Sequence, residues 1–133
     1  HDNYRRAQEL DAGLVAIIDK HQPKAMAGEA MSFPRNATTA SKLGICWGIV
    51  SAVNARFDLP MTQPTPQAIK KALTGKRNAN KTEIQNAVVE RCPEVALMLA
   101  GLPKSKREHA ADAVGAVIAS LDGEIFRMIR KLG

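Results

Sequence analysis

Three side chains of this sequence combine residue types and spacings that suit a divalent metal ion. Glu29 stands within Ala25–Met31, a short and mostly apolar segment. A carboxylate withdrawn from water there costs several kcal/mol unless it is paired or binds a metal. His109 and Asp112 are three residues apart, which on a helix places an imidazole and a carboxylate on one face. Such a combination is a reasonable ligand set for a divalent metal.

Both signals also have a purely structural explanation. Glu29 is equally well explained by a strand end that is exposed to water, where the carboxylate is simply solvated. The pair of His109 and Asp112 is explained by a local hydrogen bond on a surface helix. The residues by themselves leave these alternatives open.

The positive charge of the chain is concentrated in one segment. Residues 70–107 hold nine basic and three acidic side chains, and this segment accounts for the net charge of +6. A one-sided basic segment is typical of proteins that bind nucleic acid, because each neutralised phosphate releases a condensed counterion. A solvated basic face is the alternative. Aromatic residues make up only 4% of the chain, so we expect contacts with the phosphate backbone rather than base stacking.

Length and composition restrict the class of protein. A chain of 133 residues predicts a single domain over 1–133. No apolar run approaches the roughly 20 residues that a membrane span needs, so no membrane partner is expected. Cys46 and Cys92 lack the spacing of a metal or redox motif, which favours a reducing, cytoplasmic location.

The elements that must position these residues are predicted to be mostly helical. Apolar periodicity and helix signals predict helices over 4–20, 37–55, 66–75, 81–92, 106–121 and 124–132, the last being short and basic, with an apolar turn or helix before Leu102. Short strands are predicted over 24–31 and within 57–64. The predicted N-caps are Asn36, Thr65 before Pro66, Asn80 paired with Glu83, and Ser105 paired with Glu108.

Several short motifs follow one another at defined spacings. They are Glu29 at a strand end, Asn36 seven residues later, Ser41-Lys42-Leu43-Gly44 with Gly48, Gln67-Ala68-Ile69-Lys70, Gly75 with Lys81 six residues on, and His109-Ala110-Ala111-Asp112-Ala113. As a set, they resemble the RuvC-type Holliday junction resolvases of the RNase H-like superfamily. The resemblance extends from about Leu10 to Ala119 and implies an α/β, RNase H-like fold.

The resemblance implies a metal-dependent endodeoxyribonuclease that resolves four-way DNA junctions as a homodimer. By position, Glu29, His109 and Asp112 match ligands of Mg²⁺ or Mn²⁺, and Lys81 matches a catalytic basic residue near the scissile phosphate. The residues expected to contact DNA are Lys70, Lys71, Lys76, Arg77, Lys81, Phe33, Arg35 and Asn36. Dimerisation is expected through the helix over 36–57, where Gly44 and Gly48 permit close packing around Trp47; the alternative is that Trp47 is an ordinary core residue.

One part of the family pattern has no counterpart in this sequence. The pattern begins with a hairpin of strands that carries Asp-x-Gly on the first strand, whereas Asp2 and Asp11 fall at or inside the first predicted helix. We therefore expect the fold to be helix-rich because the first strands are absent, and the active site of this N-terminally incomplete domain to lack one essential carboxylate. The alternative function is a catalytically incomplete RuvC-like protein that binds branched DNA or serves a structural role. A third possibility, RNA processing, keeps the superfamily and changes the substrate.

Overall fold

The computed structural model describes residues 2–31 and 36–132. In chain order, the elements are α1 (Asp2–His21), β1 (Met26–Ala27), α2 (Ala37–Arg56), β2 (Met61–Thr62), α3 (Pro66–Thr74), α4 (Lys81–Arg91), α5 (Val95–Ala100), α6 (Lys104–Ser120) and α7 (Glu124–Leu132). Within the described ranges, no helix has the length and apolar character needed to cross a bilayer.

The two strands form a small parallel sheet. Its backbone hydrogen bonds run from Met26 N to Pro60 O at 2.9 Å, from Gly28 N to Thr62 O at 3.0 Å and from Ala30 N to Pro64 O at 2.8 Å. Because donors and acceptors advance together by two residues, the two segments run in the same direction.

The strands are shorter than the sequence predicted. The expected strands over 24–31 and within 57–64 are reduced to two residues each, although backbone hydrogen bonds continue as far as Ala30. Ala and Gly favour strands weakly, and Pro60 and Pro64 have no N–H to donate. Glu29 therefore lies in extended backbone just beyond β1 rather than within a long buried strand.

The chain divides into two compact units. The first comprises His1–Met26 and Met31–Met61, and the second comprises Ala27–Ala30 and Thr62–Gly133. The expectation that residues 1–133 form a single domain stays a prediction.

The first unit is built on α1 and α2, which pack against each other. Ile18 and Val53 are its buried apolar residues, and an ion pair joins Arg56 Nη2 to Asp11 Oδ2 at 2.9 Å. The Asn36 side chain caps α2 by accepting a hydrogen bond from Thr39 N at 2.7 Å. The predicted start of this helix is therefore confirmed, and Asp11 lies on a helix, as expected from the sequence.

In the second unit, α6 packs against both α3 and α4. The core includes Ile69, Ile84, Val88, Leu99 and Ala111, all buried. The contact between α3 and α6 is close because Gly115 has no side chain. A Cβ atom at that position would stand 2.9 Å from the Ile69 Cγ2 atom, which is too short for any packed carbon pair.

Three predicted helix ends of the second unit are confirmed. Thr65 Oγ1 accepts a hydrogen bond from Ala68 N at 3.1 Å at the start of α3. That helix ends at Gly75, whose φ of +78° is in the left-handed region and suits glycine. At the start of α4, Asn80 and Glu83 form the expected reciprocal capping box.

The capping box predicted for α6 is wrong. The helix begins at Lys104, directly after Pro103, and no side chain caps it. Proline has a fixed φ suited to helix entry, so the helix starts earlier than expected and Ser105 lies inside its first turn. Glu108 instead forms an ion pair with Lys81.

Candidate active site

A cleft of about 450 Å³ opens in the second unit. Pro66, Ile69, Ala79 and Ile84 contribute its apolar lining, and Asn80 and Gln85 contribute neutral polar groups. Its charged lining consists of Glu29, Lys70, Lys81, Glu108 and Asp112. Four of these five residues were singled out from the sequence, and the structure brings those four together.

Packing between α3 and α6 positions two of the charged residues. Lys70 follows the buried Ile69 on α3, and Asp112 follows the buried Ala111 on α6. Because Gly115 lets the two helices approach closely, the ammonium and the carboxylate both line the cleft.

Lys81 reaches the cleft from the first residue of α4. The capping box fixes that end of the helix, and the Lys81 Nζ atom lies 2.9 Å from Glu108 Oε1. Among the charged residues described in the cleft lining, Glu108 is the one without a site role in the prediction from sequence. Its spacing of four residues from Asp112 was the available signal, since residues four apart share a helix face.

The two carboxylates expected to bind metal are in an unfavourable electrostatic environment. Partial burial raises the pKa of Glu29, and the nearby charge of Asp112 raises it further, whereas Lys70 and His109 lower it. Partial burial also raises the pKa of Asp112, with a further contribution from Glu108. His109, Lys70 and Lys81 act in the opposite direction and lower the pKa of Asp112. Negative charge is therefore crowded at this point and would be relieved by a cation.

The donor chemistry of the cleft fits a hard divalent cation in part. Glu29 and Asp112 supply carboxylate oxygens, which Mg²⁺ and Mn²⁺ prefer, and His109 is exposed on α6. In the ranges 2–31 and 36–132, no three His, Cys, Asp or Glu side chains are grouped so that they could hold a metal ion. Glu108, the third carboxylate of the cleft, is paired with Lys81, so Glu29 and Asp112 are left for a metal, and water or phosphate oxygens would complete the coordination.

Of the other expected DNA contacts, those that the structure describes lie outside the cleft lining. Lys71, Lys76 and Arg77 are exposed, and Lys76 Nζ pairs with Glu83 Oε2 at 3.0 Å. That lysine and the Asn80 backbone lower the pKa of Glu83. Of the remaining predicted contacts, Asn36 caps α2, while Phe33 and Arg35 fall outside the described residues.

In fold, the chain is similar to two solved structures of Thermus thermophilus RuvC. One has a TM-score of 0.70 at 24% identity and covers 97% of this chain and 71% of the other. The second, described as a complex with Holliday junction substrate, has a TM-score of 0.75 at 24% identity and covers 96% and 70%. The expected α/β, RNase H-like fold class is confirmed.

The family model for crossover junction endodeoxyribonuclease RuvC matches residues 2–120. The crossover junction endodeoxyribonuclease RuvC of Aliivibrio fischeri (strain MJ11) is 37% identical over 115 residues, which are 85% of this chain and 61% of that protein. The same enzyme of Desulforamulus reducens is 35% identical over 113 residues, covering 85% and 65%. The chain therefore belongs to the RuvC family, and it spans about three fifths of the length of these relatives.

Proposed function

We propose that this chain carries the site of a metal-dependent, structure-specific endonuclease that resolves four-way DNA junctions by hydrolysing phosphodiesters. The observation that carries the proposal is the cleft, in which Glu29 and Asp112 face the same space as Lys70 and Lys81. Membership of the RuvC family supports it. Further support comes from the T. thermophilus structure, which is described as RuvC in complex with Holliday junction substrate.

In this proposal, Glu29 and Asp112 hold Mg²⁺ or Mn²⁺, while His109, which is exposed on α6 and is not among the residues that line the cleft, stays a predicted ligand. The bound metal would supply an activated water and stabilise the leaving oxygen. Lys70 favours the ionised form of both carboxylates, because its charge lowers the pKa of each. Lys70 and Lys81 neutralise the charge of the phosphate that enters the cleft.

The DNA arms follow the basic surface beyond the cleft. Lys71, Lys76 and Arg77 are exposed and would contact backbone phosphates, which position a duplex without reading its sequence. Asn36 uses its side-chain oxygen as a cap, so its side-chain N–H groups are left for a contact with DNA. Phe33 and Arg35 stay predicted contacts.

We further propose that the protein forms a homodimer through the helix over 36–57. Apart from the neighbouring part of α2 itself, no atom of the described residues lies within 4 Å of the positions where Gly44 and Gly48 would carry a Cβ, so a second helix could approach there closely. Trp47 lies between these glycines and is half-buried. A large aromatic residue beside small ones is a typical centre of a protein interface.

A second candidate function is the binding of branched DNA without cleavage. The observation that favours it is the absence, among the residues described by the structure, of three metal-ligating side chains grouped at one point. The basic surface and the lysines of the cleft would still hold a junction, because backbone binding depends on charge rather than on a metal site.

Two assays with a synthetic four-way junction separate these functions. Cleavage is measured with Mg²⁺ and with EDTA, and binding is measured without metal against a linear duplex of the same sequence. Junction cleavage that requires Mg²⁺ and is lost in Asp112→Asn, but not in the control Glu83→Gln, supports the nuclease. Salt-sensitive junction binding without cleavage supports the second candidate. Preference for an RNA hybrid over the junction would instead support RNA processing, and binding to neither would contradict all three.

A further inference from the structure

The ion pair between Lys81 and Glu108 gives Glu108 a role that the family resemblance does not assign. The Lys81 Nζ atom is 2.9 Å from Glu108 Oε1, so the two opposite charges are in direct contact. The pair joins the first turn of α4 to α6, and both residues line the cleft. The other ion pairs of the described residues lie within α1, between α1 and α2, or between Lys76 and Glu83.

The two partners differ in their exposure to solvent. The Lys81 side chain is 73% exposed and the Glu108 side chain 30%. Glu108 is therefore held against the protein, whereas the ammonium can be reached from outside without any change in the core. An ion pair with one exposed partner contributes little to stability, because water screens it, so a stronger anion can displace the carboxylate.

Glu108 also adds negative charge where a phosphate is expected to enter. It lies four residues before Asp112 on α6, so both carboxylates are on the same face of that helix. While Glu108 is paired with Lys81, its negative charge offsets the charge of the ammonium, and Lys70 is the remaining positive charge among the described residues that line the cleft. A carboxylate at this position weakens attraction for a polyanion.

We propose that Glu108 is the exchangeable counter-ion of Lys81. The Glu108 carboxylate holds the Lys81 ammonium at the cleft until a backbone phosphate replaces it, and Glu108 thereby limits the affinity of the protein for nucleic acid. This inference rests on the proposed function, since the competing anion is a phosphate of bound DNA. In the free protein, Lys81 is paired with Glu108; in the complex, it pairs with the phosphate, and the Glu108 carboxylate is solvated instead. Glu108 is thus a positioning residue that acts through Lys81.

A double-mutant cycle on junction binding tests this exchange. The variants are Glu108→Gln, Lys81→Gln and the combination, with a labelled four-way junction, no divalent metal and low salt, where charge effects are largest. Asp11→Asn is the matched control, because it frees Arg56 from a pair of the same 2.9 Å length and changes the net charge by the same amount. Glu108→Ala serves as a second neutral variant, and circular dichroism verifies that each variant is folded.

The expected result is a gain in affinity that depends on Lys81. Glu108→Gln and Glu108→Ala should tighten junction binding about three- to fivefold. Asp11→Asn should change it by less than about 1.5-fold, as expected for a solvent-accessible charge that does not line the cleft. In the Lys81→Gln background, the gain from Glu108→Gln should fall to that of the control.

Three other outcomes overturn the inference. An equal gain with and without Lys81 would mean that Glu108 acts only through net charge, and weaker binding by folded Glu108 variants would mean that Glu108 supports the complex. In both cases, junction binding by the unaltered chain leaves the proposed function intact. No junction binding by the unaltered chain or any variant would overturn the inference and the proposed function together.

Discussion

The helices α2 and α6 use their small residues in opposite ways. On α6, Ala111, Gly115 and Ala116 are all buried, and Gly115 leaves just enough room for side chains of α3. On α2, Gly44 and Gly48 are exposed, and in the described part of the chain no residue outside that helix lies within 4 Å of the place where a Cβ would stand. The same residue type therefore builds a contact within the chain in one helix and leaves a surface open in the other.

A small residue in a helix therefore has one of two structural roles. A buried glycine such as Gly115 is explained by its neighbours, and here it sets the spacing that brings Lys70 and Asp112 to one cleft. Exposed glycines lower helix stability without any gain in packing inside the chain. Gly44 and Gly48 thus need an explanation outside the unit in which they lie, and the proposed dimer supplies one.

The largest expected effect concerns the open surface of α2. Trp47→Glu should convert the proposed dimer to a monomer, because a charge at the centre of an apolar interface weakens it by about 30-fold or more. Light scattering measures the mass directly. The control Leu97→Glu replaces an apolar residue that is 87% exposed on α5 and should leave the mass unchanged. An unchanged dimer mass in Trp47→Glu would remove α2 from the interface.

The second prediction tests the packing of α6. Gly115→Ala should lower the free energy of unfolding by about 1–3 kcal/mol, because the new methyl overlaps Ile69 and forces the helices apart. Gly13→Ala is the matched change in α1, where no neighbour lies within 4 Å, and should raise it by about 0.5–1 kcal/mol. Urea unfolding at one protein concentration measures both. Equal effects of the two changes would contradict the account of close packing.

The third prediction distinguishes a working cap from an inactive one. Asn80→Ala should cost about 1 kcal/mol of stability, because α4 loses the acceptor for Glu83 N. Ser105→Ala should change stability by less than about 0.5 kcal/mol, because Ser105 caps nothing in α6. Thermal unfolding compares the two variants. A loss of stability in Ser105→Ala as large as in Asn80→Ala would support the capping box predicted for α6 and contradict the uncapped helix start.

These cases indicate which features the sequence could predict. The caps at Asn36, Thr65 and Asn80 are confirmed because a cap is a local interaction between residues two or three apart. Glu29 and Asp112 were selected from their residue types and from the family resemblance, and both line the cleft.

The features missed by sequence analysis depend on contacts between distant segments or on competing local signals. The partner of Glu108 is Lys81, which lies on another helix, and no local pattern predicts that ion pair. The N-cap predicted at Ser105 is wrong because α6 begins directly after Pro103, which is earlier than the apolar periodicity indicates. The short strands reflect weak β-propensity, which tertiary context decides.

The smallest expected effect concerns the stability of the metal-free protein. Because the pKa of Glu29 and Asp112 is raised on folding, their contribution to stability is full below the ordinary carboxylate pKa and is lost as the pH rises through the raised value. Glu29→Gln and Asp112→Asn should therefore raise the Tm at neutral pH, by about 1–2 °C after solvent screening.

Glu83 provides the opposite case for the same measurement. Its pKa is lowered, so its contribution to stability is present above the ordinary carboxylate pKa and is lost as the pH falls through the lowered value. Glu83→Gln should lower the Tm at neutral pH in calorimetry. A Tm decrease in all three variants would contradict the assignment of crowded charge at Glu29 and Asp112.

The most direct test of the central claim is a Mn²⁺ titration followed by electron paramagnetic resonance. We expect that the chain binds Mn²⁺ and that Glu29→Gln and Asp112→Asn each weaken binding by about tenfold or more, since each removes a carboxylate ligand. Glu83→Gln, which removes a carboxylate outside the cleft, should change the affinity less than about twofold. No Mn²⁺ binding by the unaltered chain, or equal affinity in all four proteins, would contradict a metal site built on Glu29 and Asp112.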